Sequence, residues 1–423
     1  MSNKISNSIT VEKLPTDIVY GGSYIIAQAN PNNYSHSFFK YPCRFIPEIP
    51  RWAIQKYLSG IENASVFDPF SGSGTTLLES IINDYNAYGT EIDNIAKLII
   101  KVKTTSFSQE KLDEILVEYN KVISNIDISK KPRKLPEINN LDHWFTNDAI
   151  VKLAGIKENI DKVYDEDIRD FLNVCFVSII KRVSNADDVS PKPYVSNKII
   201  KTAPETLKEF TSVFNRYFEG IKELSSLGIE KKACIINGDA LNFKFDSLFD
   251  LAITSPPYIN AFDYARTMRL ENLWLNTMTE NELRDKKKYY VGTESIKTAD
   301  EEKQLEILEK SSILNSYYSQ IYEIDKKRAL VVKKFFEDMQ DNMKQVYKHL
   351  KPGGHYMIVI GNSSIRNVEV ESWRVLQQIS ELIGFKTETY FNYLIQNPYI
   401  RIPRGNKGGK INTDHVLVLI KEG

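Results

Sequence analysis

Thr254-Ser255-Pro256-Pro257-Tyr258 follows FDLAI, an apolar run that reads as a buried strand. Consecutive prolines cannot continue a sheet ladder, so the chain must leave the sheet there. A rigid exit turn alone would explain the prolines, but the residue types also suit one particular chemistry. The lone pair of an aromatic amine is delocalised into its ring, which makes the nitrogen a poor nucleophile. Two acceptors aimed at its N–H bonds localise that pair on nitrogen. The Ser255 hydroxyl oxygen and the Pro256 carbonyl suit this task, with Pro257 stiffening the loop and Tyr258 offering a ring to stack on a base. A methyl group carried by a sulfonium could then pass directly to nitrogen, with no covalent enzyme intermediate.

A second candidate site lies upstream, where a first strand, ASVFDPF, gives way to a helix, TTLLESIINDY. Between them Gly72 and Gly74 permit a tight turn and the close approach of a ligand to the backbone at the carboxyl edge of a sheet. Leu77 replaces the third glycine of a dinucleotide fingerprint, and no GK[ST] follows, which excludes a phosphate-binding P-loop. Glu91 ends the second strand, where an acid can accept from a ribose diol. Asp93 reads as a cap for the next helix. Asp239, in NGDAL at the end of the third strand, suits an adenine amino group or a backbone donor. Any one of these acids alone could be a cap; three at successive strand ends behind a glycine loop point to an adenosine-bearing ligand.

The elements that must position these residues alternate strand and helix, which predicts an α/β fold with a mostly parallel, doubly wound sheet. The late strands GHYMIVIG, TETYFNYL and HVLVLI allow an antiparallel hairpin at one edge. Apolar residues at helical spacing between about 105 and 227, and a charged stretch at about 281–334, read as mostly helical insertions. The chain divides into an N-terminal arm (1–30), a first part of the core (31–105), a helical insertion able to serve as a recognition lobe (106–228), and a second part of the core (229–423). Trp144 and Phe145 read as core aromatics of that lobe.

Composition excludes several classes. Lys plus Arg and Asp plus Glu number 55 each, so any basic surface must be local. There is no long apolar run and the N-terminus is polar, so a cytoplasmic protein without a membrane span is expected. Cys43, Cys175 and Cys234 lie far apart with no metal-ligand spacing, so they read as reduced thiols and no metal is expected.

DPFSGSGTT, GTEID, GDA and TSPPY, in this order, resemble motifs I to IV of the amino-methylating DNA methyltransferases. SPPY is the form typical of the N4-cytosine members. The segment from His36 to Pro47 resembles the family's motif X, and LKPGGHYMIVIGNSSIR and NPYIRIPRGNKGG resemble its later strand and the loop near the target base. FDYARTMRLENLWL and YVGTES also look like segments of bacterial SPPY enzymes. The resemblance implies a class I, Rossmann-like fold and S-adenosylmethionine as cofactor. It places Tyr41, Pro42, Phe45, Asp68, Pro69, Phe70, Gly72, Gly74, Thr75, Thr76, Glu91, Ile92, Asp239 and Ala240 around that cofactor. Ser255, Pro256, Pro257 and Tyr258 would hold the target base. Motif III runs straight into motif IV, so the family's usual place for a recognition domain is too short.

Double-stranded DNA is the expected partner, with the target base flipped out of its stack. Arg401, Arg404, Lys407 and Lys410, on a Gly- and Pro-rich loop, are candidates for gripping phosphates, and Lys192, in RVSNADDVSPKPY, for a second DNA-facing loop. A restriction–modification setting with a cognate nuclease follows from the resemblance. An N6-adenine enzyme, an RNA methyltransferase and a non-catalytic subunit stand as alternatives. A C5-cytosine enzyme does not, because the only Pro-Cys, Pro42-Cys43, precedes the glycine loop.

Overall fold

The computed structural model describes residues 8–27, 32–42, 44, 46–130, 132–198, 200–259, 263–396 and 412–423. Among these, nine strands form one sheet: β1 (Ile9–Val11), β2 (Gly22–Ile26), β3 (Ser65–Asp68), β4 (Asn86–Gly89), β5 (Cys234–Ile235), β6 (Phe249–Thr254), β7 (Leu350–Gly361), β8 (Phe385–Leu394) and β9 (Thr413–Lys421). Their spatial order is β1-β2-β8-β9-β7-β6-β3-β4-β5. From β5 to β7 every pairing is parallel, whereas β9 runs antiparallel to both neighbours. The expected hairpin of β8 and β9 is therefore present. The sheet continues past it, because β2 adds parallel to β8 and β1 to β2. The chain leaves β3 toward β4 and β5, then returns to lay β6 on the other side. That reversal makes a switch point between β3 and β6, where such sheets open a crevice at their carboxyl ends.

Side-chain alternation shows why these runs are strands covered on both faces. Val66, Leu251, Ile253, Met357, Val359, Val416 and Val418 enter one apolar cluster, with Trp52, Ala53 and Ile54 of helix α1 (Glu48–Leu58). Their neighbours Phe67, Ala252, Tyr356, Ile358, Leu417 and Leu419 enter another. This second face is packed by the helices Lys326–His349 and Ser372–Ile383. The first of these runs through the boundary expected near 334, and its Lys333 is fully buried rather than solvated.

Four long helices, Gln109–Ser124, Asn147–Ile160, Glu166–Val183 and Thr206–Ser225, lie in sequence between β4 and β5. Ser108, Thr146, Asp165 and Glu205 cap their N-termini by accepting backbone N–H groups. Their apolar faces share one cluster with α2 (Thr75–Ile82) and α3 (Asn94–Lys103), so the helical layer is continuous with the glycine-loop side of the core. Phe145 is buried against Trp274 at 5.6 Å, and Trp144 lies under the Arg269 guanidinium at 5.2 Å. The layer also braces residues 34–42. Tyr217 stacks on Phe38 at 4.4 Å, and its hydroxyl accepts from the Phe39 N–H at 2.7 Å.

Gly220 is where this brace is tightest. A Cβ there would fall on the Tyr34 carbonyl, with the Phe38 ring 3.2 Å away. Gly220→Ala is expected to lower stability by about 1–3 kcal/mol in urea unfolding, the usual cost of overpacking.

Candidate active site

The glycine loop is held from beneath. The Asp68 carboxylate accepts from the Phe70 N–H at 3.0 Å and from the Thr254 hydroxyl at 2.7 Å. The Ser71 hydroxyl donates to the Asp68 carbonyl at 2.8 Å, and the Thr90 hydroxyl donates to the Pro69 carbonyl at 2.6 Å. Gly72 and Gly74 have φ of +50° and +74°, the left-handed region in which glycine is unstrained. A Cβ on Gly72 would lie 3.2 Å from the Tyr41 ring, so this backbone is approached closely by the segment 34–42. Burial raises the Asp68 carboxyl to about 6, against the lowering effect of its hydrogen bonds.

Glu91 is turned onto backbone donors. One oxygen accepts from the Ile92 and Asp93 N–H groups, both at 2.8 Å, and the other from Gly72 N–H at 2.9 Å. A carboxylate offers about four lone-pair sites, so one acceptor position is left for a ligand. Burial pushes Glu91 up to about 7. Asp93 caps α3 as expected, accepting from Ile95 and Ala96, and its second oxygen accepts from the Tyr290 hydroxyl at 3.1 Å. Asp239 stands in a short hairpin (Gly238–Asp239 with Asn242–Phe243) rather than at the end of β5, because Gly238 turns the chain at φ +111°. One of its oxygens accepts from Leu241 and Asn242 N–H groups.

These parts border one cleft of about 800 Å3, open mouth included. Twelve of the residues expected at a site line it: Tyr41, Pro42, Pro69, Phe70, Gly72, Thr75, Glu91, Ile92, Asp239, Ala240, Ser255 and Pro257. Asp68, Gly74, Thr76, Pro256 and Tyr258 are its chain neighbours rather than part of its lining. Tyr258 is fixed by its hydroxyl, which donates to Asp414 at 2.6 Å; Tyr393 donates to the other oxygen at 2.9 Å. Lys192 is exposed on a separate loop. The cations beside it are engaged in shaping that loop, Arg182 and Lys201 with Asp188 at 2.6 and 2.8 Å. Phe45, Arg401, Arg404, Lys407 and Lys410 lie outside the described residues, as does Cys43.

The cleft also contains residues that the motifs did not single out. Arg44, Tyr264, Tyr289, Tyr290 and Val291 line it. Tyr41, Tyr264 and Tyr290 form a stack at 6.0 and 5.8 Å. The sequence signal for two of the three was FDYARTMRLENLWL and YVGTES, family-like stretches in which no single residue stood out. Among the described residues no cluster of His, Cys, Asp and Glu could hold a metal, and no helix is long and apolar enough to cross a membrane.

A reversing α/β sheet with a glycine loop, an acid just past the next strand and an SPPY exit loop at one cleft is the arrangement that the resemblance to class I methyltransferases implies. The Thr75 hydroxyl, buried at that loop without a partner among the described residues, and the remaining acceptor on Glu91 fit an adenosine-bearing cofactor. Residues 2–102 match the family model described as DNA methylase, of the N6/N4 type. The chain is 24% identical to the type II methyltransferase M.MvaI of Kocuria varians, over 97% of this chain and 95% of that protein. It is 24% identical to the type II methyltransferase M.BsoBI of Geobacillus stearothermophilus, over 85% and 80%. An rRNA methyltransferase, aviRa of Streptomyces viridochromogenes, superposes with a TM-score of 0.31 at 8% identity over 90% of this chain and 86% of its own, too loosely to add to the assignment. These matches are likenesses to DNA methylases of the N6/N4 type, reaching the whole chain only at 24% identity.

Asp414 carries the tether of Tyr258, and burial raises its carboxyl above the ordinary range. Asp414→Ala would leave two tyrosine hydroxyls without their acceptor. It is expected to cost about 2–3 kcal/mol in urea unfolding, against about 1 for Tyr258→Phe.

Proposed function

We propose that the chain methylates the exocyclic N4 amino group of cytosine in double-stranded DNA. The observation that carries this is the placement of Ser255 in the same cleft as Gly72 and Glu91, so that a base and a cofactor can meet there. S-adenosylmethionine supplies an electrophilic methyl group when bound. Glu91 would accept from its ribose and Asp239 from its adenine, and the loop from Asp68 to Thr76 would border it. The Ser255 hydroxyl oxygen and the Pro256 carbonyl accept the two N–H groups of the flipped amine. Held this way, the amine would present its nitrogen lone pair to the methyl group that the cofactor supplies, and its proton would pass to solvent. Tyr258 offers its ring to the base, its hydroxyl anchored on Asp414. The choice of cytosine over adenine rests on a serine standing where an acid is commoner among N6 enzymes. Protection of host DNA against a cognate nuclease, in the cytoplasm, is the setting this reading implies, with the helical layer 106–228 as the recognition lobe.

Ser255→Ala is expected to lower methyl transfer to DNA at least about 100-fold, the scale on which aligned polar groups contribute to such steps. Cofactor affinity by calorimetry should be unchanged. A variant that keeps full transfer removes the serine from the mechanism, and a wild-type chain that fails to bind the cofactor removes the enzyme.

The pH dependence of cofactor binding has a definite sign. The ribose hydroxyls donate, so they need Glu91 ionised, and its carboxyl protonates near 7. Affinity should hold above pH 8 and fall as pH drops through 7, approaching about tenfold per unit on the acid side. Glu91→Gln should bind more weakly with that dependence flattened, as read by calorimetry between pH 6 and 8.5.

A further inference from the structure

Two of the four residues from Ser255 to Tyr258 are prolines, which carry no N–H, so this loop is poor in backbone donors that could hold it. The chain then runs through short helices, Tyr264–Thr267, Arg269–Trp274 and Glu280–Lys286, and returns to the cleft at Tyr290 and Val291. The next residue, Gly292, lies against the Tyr258 carbonyl. A Cβ there would stand 3.0 Å from that oxygen and 3.6 Å from the Phe335 ring. Its φ of +77° is also one that glycine alone takes readily. Phe335 is fully buried on the helix Lys326–His349, and Arg328 of that helix pairs with Glu294 at 2.7 Å. Gly292 is therefore backed by the core and touches the backbone of the SPPY loop.

Two residues earlier, the same segment reaches the other side of the cleft. The Tyr290 hydroxyl donates to Asp93 at 3.1 Å, and the Asp93 N–H donates to Glu91 at 2.8 Å, the acid that also accepts from Gly72. Burial and the charges of Asp93 and Glu91 hold the Tyr290 hydroxyl above its ordinary range, so it stays a donor. Its ring lies on Tyr264, which lies on Tyr41. Three residues thus span the cleft, from the acids beside the glycine loop to the carbonyl that ends SPPY. Asp68 joins the same two halves through Thr254, but Thr254 precedes the loop, so that bond does not set how far the loop leans over the cleft. We infer that Tyr290 and Gly292 are positioning residues for methyl transfer, the segment between them bracing the SPPY loop against the glycine-loop side and so setting the approach of the base amine to the methyl donor. A misplacement of about 1 Å at such a step costs about 100-fold in rate. This rests on the methyl-transfer reading above and adds to it what holds the base loop at its working distance.

The test separates rate from binding. Enzyme in excess over unmethylated genomic DNA, with saturating labelled S-adenosylmethionine, gives the single-turnover rate; calorimetry with S-adenosylhomocysteine gives the affinity of the cofactor site. Gly292→Ala should push on the Tyr258 carbonyl and lower the rate by about 10- to 100-fold, with S-adenosylhomocysteine affinity within about twofold of the wild type. Tyr290→Phe removes the tether to Asp93 and should lower the rate by about 3- to 10-fold; it carries the test if the Gly292 variant does not fold. Because both act through one brace, the double variant should lose clearly less than the product of the two losses. Gly353→Ala is the control for backbone strain alone, since its φ is also +77° with nothing within 4 Å of the added Cβ, and its rate should match the wild type. Full rate in either single variant, a loss mirrored in S-adenosylhomocysteine affinity, a double variant that shows the full product, or an equal loss in Gly353→Ala overturns the brace. A wild-type chain that transfers no methyl group to DNA overturns instead the reading on which the brace rests.

Discussion

The carboxylate of Asp68 joins the two halves of the cleft. It sits at the end of β3 and accepts from the Phe70 N–H of the glycine loop and from the Thr254 hydroxyl at the end of β6. These strands are the neighbours across which the chain reverses direction, so the bond spans the switch point. One side chain therefore fixes the spacing between the glycine loop and the loop that begins at Ser255. Buried hydrogen bonds of this kind are stiff because breaking them strands a polar group away from water. That stiffness matters for a direct displacement, in which two reacting atoms must be held in line with no covalent link to the protein.

A second constraint comes from desolvated charge. The chain as a whole is neutral, yet it withdraws Asp68, Glu91, Lys103 and Glu79 from water within one region. Most are satisfied by backbone groups or by one another: Glu91 by three N–H groups, Glu79 by His36 and Arg51. The helical layer contributes by bracing residues 34–42, through Tyr217 on Phe38 and Phe39. It thus supports the segment that carries Tyr41 and Pro42 into the cleft.

Local sequence made much of this legible. The glycines, the acid after β4 and the SPPY exit are short-range patterns, and each maps to a tight turn or strand end that the backbone enforces. Asp93 was readable as a helix cap because capping is decided within three residues. The strand pattern also gave the hairpin of β8 and β9, since alternation survives in GHYMIVIG and HVLVLI. What escaped was long-range. Asp414 lies 156 residues from Tyr258, and nothing near either predicts their bond. Tyr264 and Tyr290 join Tyr41 only after folding. Asp239 was placed at a strand end, but the hairpin after β5 depends on Gly238 adopting a φ that the sequence permits without requiring. The two extra strands β1 and β2 come from a stretch whose pairing with β8 is set by an edge about 370 residues away.

The central claim is transfer of a methyl group to a base amino group, with cytosine as the base. DNA treated with the protein and isotopically labelled S-adenosylmethionine, digested to nucleosides and resolved by mass spectrometry, tests it most directly. Label in N4-methyldeoxycytidine is the predicted result. Label in N6-methyldeoxyadenosine would contradict the choice of base, and label in 5-methyldeoxycytidine, or in no nucleoside, would contradict the mechanism itself.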